Sequence, residues 1–155
     1  MRKFIYTLSA IMSACAGVIL VFMAALTFAD IVMRLFWAPI PGVYEVVAFL
    51  GVAVAGFVLP RSSLMKAHVG VDFVVERVSP RARMITLIVT RILVAAFFLI
   101  TAWYFVDMAE SFIAAKNVTM TLRLPFYPVV FVMAFSFLVE AIVAVYQMLE
   151  REEKE

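Results

Sequence analysis

The residues of this chain that could do chemistry are few, and most of them interrupt long apolar runs. Asp30 and Arg34 stand four apart, which on a helix places them on one face within reach of an ion pair. Glu45 follows Pro39-Ile40-Pro41-Gly42, close enough along the chain for Arg34 to reach it as well. Arg91 and Glu140 each sit inside an apolar stretch. His68 and Asp72 repeat the four-residue spacing in a more polar segment. An ionisable group within a membrane is costly and is often kept for a function, so each of these needs a reading.

Asp30, Arg34 and Glu45 admit two roles. One is a substrate or ion site; the other, which we favour, is a clamp that fixes a helical hairpin. Glu45 would stand at the start of a helix, where the macrodipole favours negative charge. Arg91 lies about 10 Å inside the start of its run, and Glu140 about as far from the end of its own, at a rise of roughly 1.5 Å per residue. On antiparallel helices those depths match, which predicts an ion pair; the alternative is that each side chain snorkels separately to the interface. His68 with Asp72 resembles a catalytic dyad, but no serine or cysteine nucleophile is evidently placed with it. A pairing that shapes the loop is the better expectation. There is one histidine and one cysteine, Cys15, so neither a histidine pair for a metal or haem nor an intrachain disulfide is available. No catalytic residue, cofactor or metal is expected.

The elements that position these residues follow from composition. The chain of 155 residues is 66% hydrophobic and 15% charged, against roughly 45–50% and about 25% in ordinary globular proteins. A soluble domain of this size has too little interior to hide so much apolar surface; lipid solvates it directly. A net charge of +2 gives no case for nucleic acid. Four apolar runs, at about 4–29, 43–59, 84–106 and 125–148, are measured against the roughly 20 residues a helix needs to cross the hydrocarbon core. They lack the alternation of barrel strands. The predicted fold is therefore an all-α integral membrane protein of four transmembrane helices in one domain, 1–155. Met1-Arg2-Lys3 and the apolar run after it resemble a signal peptide, but the run continues past Cys15 to Ala29 and reads as a retained span.

Punctuation agrees with this division. Pro39-Ile40-Pro41-Gly42 breaks the chain between the first two runs, Pro60 closes the second, Ser79-Pro80 launches the third, and Pro125 and Pro128 fall near the start of the fourth. Lysine and arginine concentrate on one side, at Arg2, Lys3, Arg61, Lys66, Arg77, Arg81, Arg83, Arg151 and Lys154, against Arg34, Lys116 and Arg123 on the other. Both termini and the middle loop are thus expected in the cytoplasm. In that loop Val71, Val74, Val75 and Val78 make one apolar helical face. A short amphipathic interfacial helix and a packed connector explain this equally well. Trp37, Tyr44, Trp103, Tyr104 and Tyr127 fall where an aromatic belt would lie. Small residues recur at Ala10, Ala14, Gly17, Ala25 and Ala29 and at Gly51, Ala55 and Gly56. They suit close helix contact, with a partner or within the bundle.

Three segments together carry a family resemblance: Asp30 to Arg34 with Pro39-Ile40-Pro41-Gly42-Val43-Tyr44-Glu45, then His68-Val69-Gly70-Val71-Asp72, then Thr119-Met120-Thr121-Leu122-Arg123-Leu124-Pro125-Phe126-Tyr127-Pro128. Their order and spacing resemble the small membrane subunit of the tripartite ATP-independent periplasmic (TRAP) transporters, the DctQ-like family. Arg34, Glu45, His68 and Asp72 echo its pattern, and Asp30 fits it less closely. The resemblance implies a bacterial inner-membrane complex. Its partners would be a large multi-span TRAP transport subunit that moves the solute and a periplasmic solute-binding protein that delivers it. It also implies an ion gradient, typically sodium, in place of ATP, and a scaffold role for the small subunit. An organic acid-like solute is the expectation.

Two other classes compete with this reading. A self-contained small four-helix exporter would place an acidic residue mid-membrane in its first span, and none precedes Asp30. A membrane anchor of a redox complex would need paired axial ligands for haem, and His68 stands alone outside the spans.

Overall fold

Four helices carry the chain in the computed structural model, which describes residues 2–65 and 80–152. They are α1 (Arg2–Phe36), α2 (Val43–Leu64), α3 (Pro80–Ala114) and α4 (Tyr127–Glu152). All four are long and apolar enough to cross a membrane. No strand longer than a single bridge occurs among the described residues. The helical choice follows from the solvent: lipid offers backbone groups no hydrogen bonds, so each span must satisfy its own. Stray hydroxyls obey the same rule, and Thr27, Thr101 and Ser136 each donate to the carbonyl four residues back.

The helices pack chiefly as a row and not in chain order: α1 lies on α2, α2 on α4, and α4 on α3. The inner place of α4 shows in its burial, since 44% of its apolar span is covered against 11% of that of α1. Val130, Ala134, Val139, Ala141, Val143 and Ala144 supply the covered surface of α4, all small or β-branched. In lipid there is no hydrophobic drive between helices, so close approach and hydrogen bonding must hold the row together. Gly56 provides one close approach. A methyl group there would lie 2.8 Å from Ser136 Oγ and 3.0 Å from Met133 Sδ, so α2 can meet α4 at this depth only without a side chain. Between α4 and α3, the Phe137 ring stacks on Phe98 and meets Phe105 edge-on. Tyr6 of α1 meets Tyr146 of α4 near the two chain termini.

Helix limits differ from the apolar runs in instructive ways. α1 and α3 each have 35 residues, roughly 52 Å of helix against a hydrocarbon core of about 30 Å, so both must lean or protrude. α1 runs beyond Ala29 because Asp30 and Arg34 satisfy each other on its last turns. α2 does not stop at Pro60 but continues one turn to Leu64. A proline removes one donor and crowds the carbonyl four residues back; that residue is Gly56. The turn beyond it is held from α4, where Gln147 Nε2 donates to the Ser63 carbonyl at 2.8 Å. Pro128 lies in the first turn of α4, while Pro125 lies before it in a bridge with Val118.

The small residues divide. Gly56 and Gly51, the latter 3.7 Å from Met23 Cε, serve contacts within the row. Ala10, Ala14, Gly17, Ala25, Ala29 and Ala55 are exposed in the isolated chain. The proposed amphipathic segment, with His68 and Asp72, lies outside the described residues.

Candidate functional site

The conspicuous polar construction lies at the connector end of the row, where the α1–α2 and α3–α4 connections meet. It begins with how α3 stops. Asn117 N–H donates to Phe112 O and Lys116 N–H to Ile113 O, a Schellman closure. Lys116 takes the left-handed position at φ 50 that glycine usually occupies. The chain then turns back on itself. Val118 bridges Pro125, Thr119 N–H donates to Leu124 O, and the Thr119 hydroxyl accepts Leu124 N–H at 3.0 Å. Arg123, at φ 54, closes this small hairpin.

Glu45 fastens the hairpin to α2. It sits in the first turn, after Gly42 at the N-cap with φ 81. An acid at this helical position commonly folds back on its own cap. Here it reaches outward: Oε1 accepts Thr121 N–H at 2.7 Å and Oε2 accepts Leu122 N–H at 2.9 Å. Two consecutive amides thus point at one carboxylate, which the α2 dipole also favours. Leu122 returns the contact. Its side chain occupies the space beside Gly42, where a Cβ would lie 2.3 Å from Leu122 Cγ. Beneath this, the Phe126 ring lies between Phe49 of α2 and Phe112 of α3. It links two helices that are not neighbours in the row.

The α1–α2 connector is fixed separately. Arg34 Nε donates to Asp30 Oδ2 at 2.7 Å, and Asp30 Oδ1 accepts Ile40 N–H at 2.8 Å. Asp30 is only 4% exposed, so one buried carboxylate holds both a side chain and the backbone ten residues on. The Arg34 guanidinium lies over the Tyr44 ring, 5.3 Å from its centroid. The short connector therefore does bring Arg34 to the start of α2, but onto Tyr44; Glu45 turns to the far loop.

At the opposite end, Glu140 of the central helix is buried at 2% exposure and accepts the Ser63 hydroxyl of α2. With Gln147 on the Ser63 carbonyl, this ties α2 to α4 a second time. Arg91 is half-buried on α3. Asp30, Arg34 and Glu45 thus gather in one cap and Glu140 stands apart from them. The sequence assigned no contact to Thr121, Leu122, Ser63 or Gln147. Three of these act through a backbone group, which residue type does not signal.

No group of three or more histidine, cysteine, aspartate or glutamate side chains is disposed to hold a metal among the described residues. Every carboxylate in the cap is spent on holding backbone. The motif that runs from Asp30 to Glu45 and the motif that runs from Thr119 to Pro128 are two halves of one fastening. Residues 23–154 match the family model of the DctQ component of tripartite ATP-independent periplasmic transporters. The chain belongs to this family. No curated protein and no solved structure matches it. Membership makes the chain a small subunit of a TRAP transporter, a transport component and a multi-pass membrane protein. The family match covers both halves of the cap, α2 to α4 in full and the end of α1.

Proposed function

We propose that this chain is the scaffold subunit of a TRAP-type secondary transporter and does not itself carry solute. In this reading it joins a large multi-span transport subunit in the bacterial inner membrane. That subunit takes up a small organic acid-like solute, delivered by a periplasmic binding protein, at the expense of an ion gradient, typically sodium. Both termini face the cytoplasm, and the cap of Glu45 and the α3–α4 hairpin faces the periplasm.

One observation carries the scaffold reading: α2 is hydrogen-bonded across the row at both ends, through Glu45 at one and Ser63 at the other. A moving carrier needs an element with two packings of similar energy. Here both ends of the second helix are tied down by charge-assisted or buried hydrogen bonds, and the helices run unbroken, unlike the discontinuous helices of many secondary transporters. The placement of Arg91 and Glu140 at matching depth further supports an ion pair that would extend the inner tie to α3. Lateral association fits the exposed small residues of α1, which permit close approach of a partner helix.

The test is extraction of the tagged chain from its native membrane in mild detergent. A large multi-span protein should come out with it in fixed ratio. Recovery of the chain alone, from membranes in which the large subunit is abundant, contradicts the proposal.

A further inference from the structure

The guanidinium of Arg34 is held along one edge and open along the other. Nε is taken by Asp30 at 2.7 Å, and the plane is braced over Tyr44. Asp30 is in turn fixed to Ile40 N–H, so the pair cannot swing as a unit. The two terminal nitrogens donate to no described residue. The Arg34 side chain is 40% exposed, against 6% for Asp30, so the arginine stays accessible while its acid partner is covered.

Its surroundings define the depth. Arg34 lies at the end of an apolar span, with Trp37 three residues on and 85% exposed. Tryptophan beside a guanidinium at a span end is the arrangement of the membrane–water interface, where headgroups begin. There the acceptors available to an open guanidinium fork are phosphate oxygens and water, and the fork matches phosphate in a bidentate manner.

We propose that Arg34 is a binding site for the phosphate of a phospholipid headgroup, with Tyr44 holding the guanidinium plane and Trp37 packing on the glycerol and upper acyl chain. Asp30 cancels the charge of Arg34 locally. Selection therefore rests on the geometry of the fork more than on net attraction, and lysine, with the same charge, should not replace arginine. The inference is independent of the transport reading, since it concerns the lipid around the chain and not its cargo.

The test is native mass spectrometry of the full chain, extracted with any partner it carries and loaded with phosphatidylglycerol. Wild type should retain a lipid adduct. Arg34→Lys should reduce the retained fraction at least about threefold, because a point ammonium cannot make the two parallel bonds. Trp37→Ala, which touches none of the hydrogen bonds of the cap, should also reduce it, and that arm decides the matter if Arg34→Lys does not fold. Excess inorganic phosphate should leave the adduct in place. Equal retention by both variants overturns the proposal. Displacement by inorganic phosphate overturns it too, since the site would then serve a free anion.

Discussion

Glu45 and Leu122 hold one another twice: the carboxylate accepts the Leu122 amide at 2.9 Å, and the Leu122 side chain fills the space beside Gly42, three residues before Glu45. A polar and a steric contact thus fasten the same two segments. Replacing Glu45 by glutamine keeps one acceptor oxygen but turns an NH2 toward the other amide. A fall in stability is expected, because one of the two amides loses its charged acceptor. Thermal unfolding in detergent measures it, and faster proteolysis within 115–126 should accompany it. An unchanged melting temperature and an unchanged cleavage rate would show that the clamp is decorative.

Gly42→Ala tests the steric half. The left-handed backbone at φ 81 disfavours any L side chain, and the new methyl would run into Leu122. Together these should cost about 1–3 kcal/mol. Adding Leu122→Ala should recover the steric part and leave the backbone part, so the two substitutions should not be additive. Strict additivity in a double-mutant cycle is the contrary result.

At Gly56 the cost is pure crowding. Gly56→Val should weaken α2–α4 packing by about 1–3 kcal/mol, while Gly17→Val, with open space around it, should leave the stability of the isolated chain unchanged. Equal effects at the two positions would contradict the close approach of α2 to α4. Disulfide trapping between cysteines introduced on α2 and α4 would report the same loosening.

Lys116 gives a gain instead of a loss. A non-glycine residue at φ 50 carries a cost of roughly 1–2 kcal/mol relative to glycine. Lys116→Gly should recover part of it, offset by the lost cation at the α3 C-terminus. A rise in melting temperature is expected, and a clear fall contradicts the Schellman assignment.

The proposed Arg91–Glu140 pair is tested by exchange. Each single reversal, Arg91→Glu or Glu140→Arg, leaves like charges at one depth and should lower the folded yield. The double reversal should restore part of the folded yield; the Ser63 hydroxyl bond to Glu140 would still be lost. If the double variant is no better than either single one, the two groups do not pair.

The residues of the cap were legible in the sequence, but their connections were not. Asp30 with Arg34 is local, a four-residue spacing on one helix, and the spacing alone predicts it. Glu45 was visible as an acid opening a helix, yet its partners are two amides more than 70 residues away. Nothing in the type of Thr121 or Leu122 announces that their N–H groups point at a carboxylate. Pro60 misled for a related reason: local chemistry says stop, and a tertiary bond from Gln147 carries α2 one turn further. Four spans followed from length and hydropathy because lipid leaves the backbone so little choice. Their order in the row did not, since apolar faces that meet lipid and apolar faces that meet protein read alike.

Solute flux into liposomes tests the central claim most directly. The purified chain, reconstituted alone with a sodium gradient and a labelled organic acid outside, should show no uptake above empty vesicles; adding the large subunit and the loaded binding protein should start it. Gradient-driven uptake by the chain alone would contradict the account.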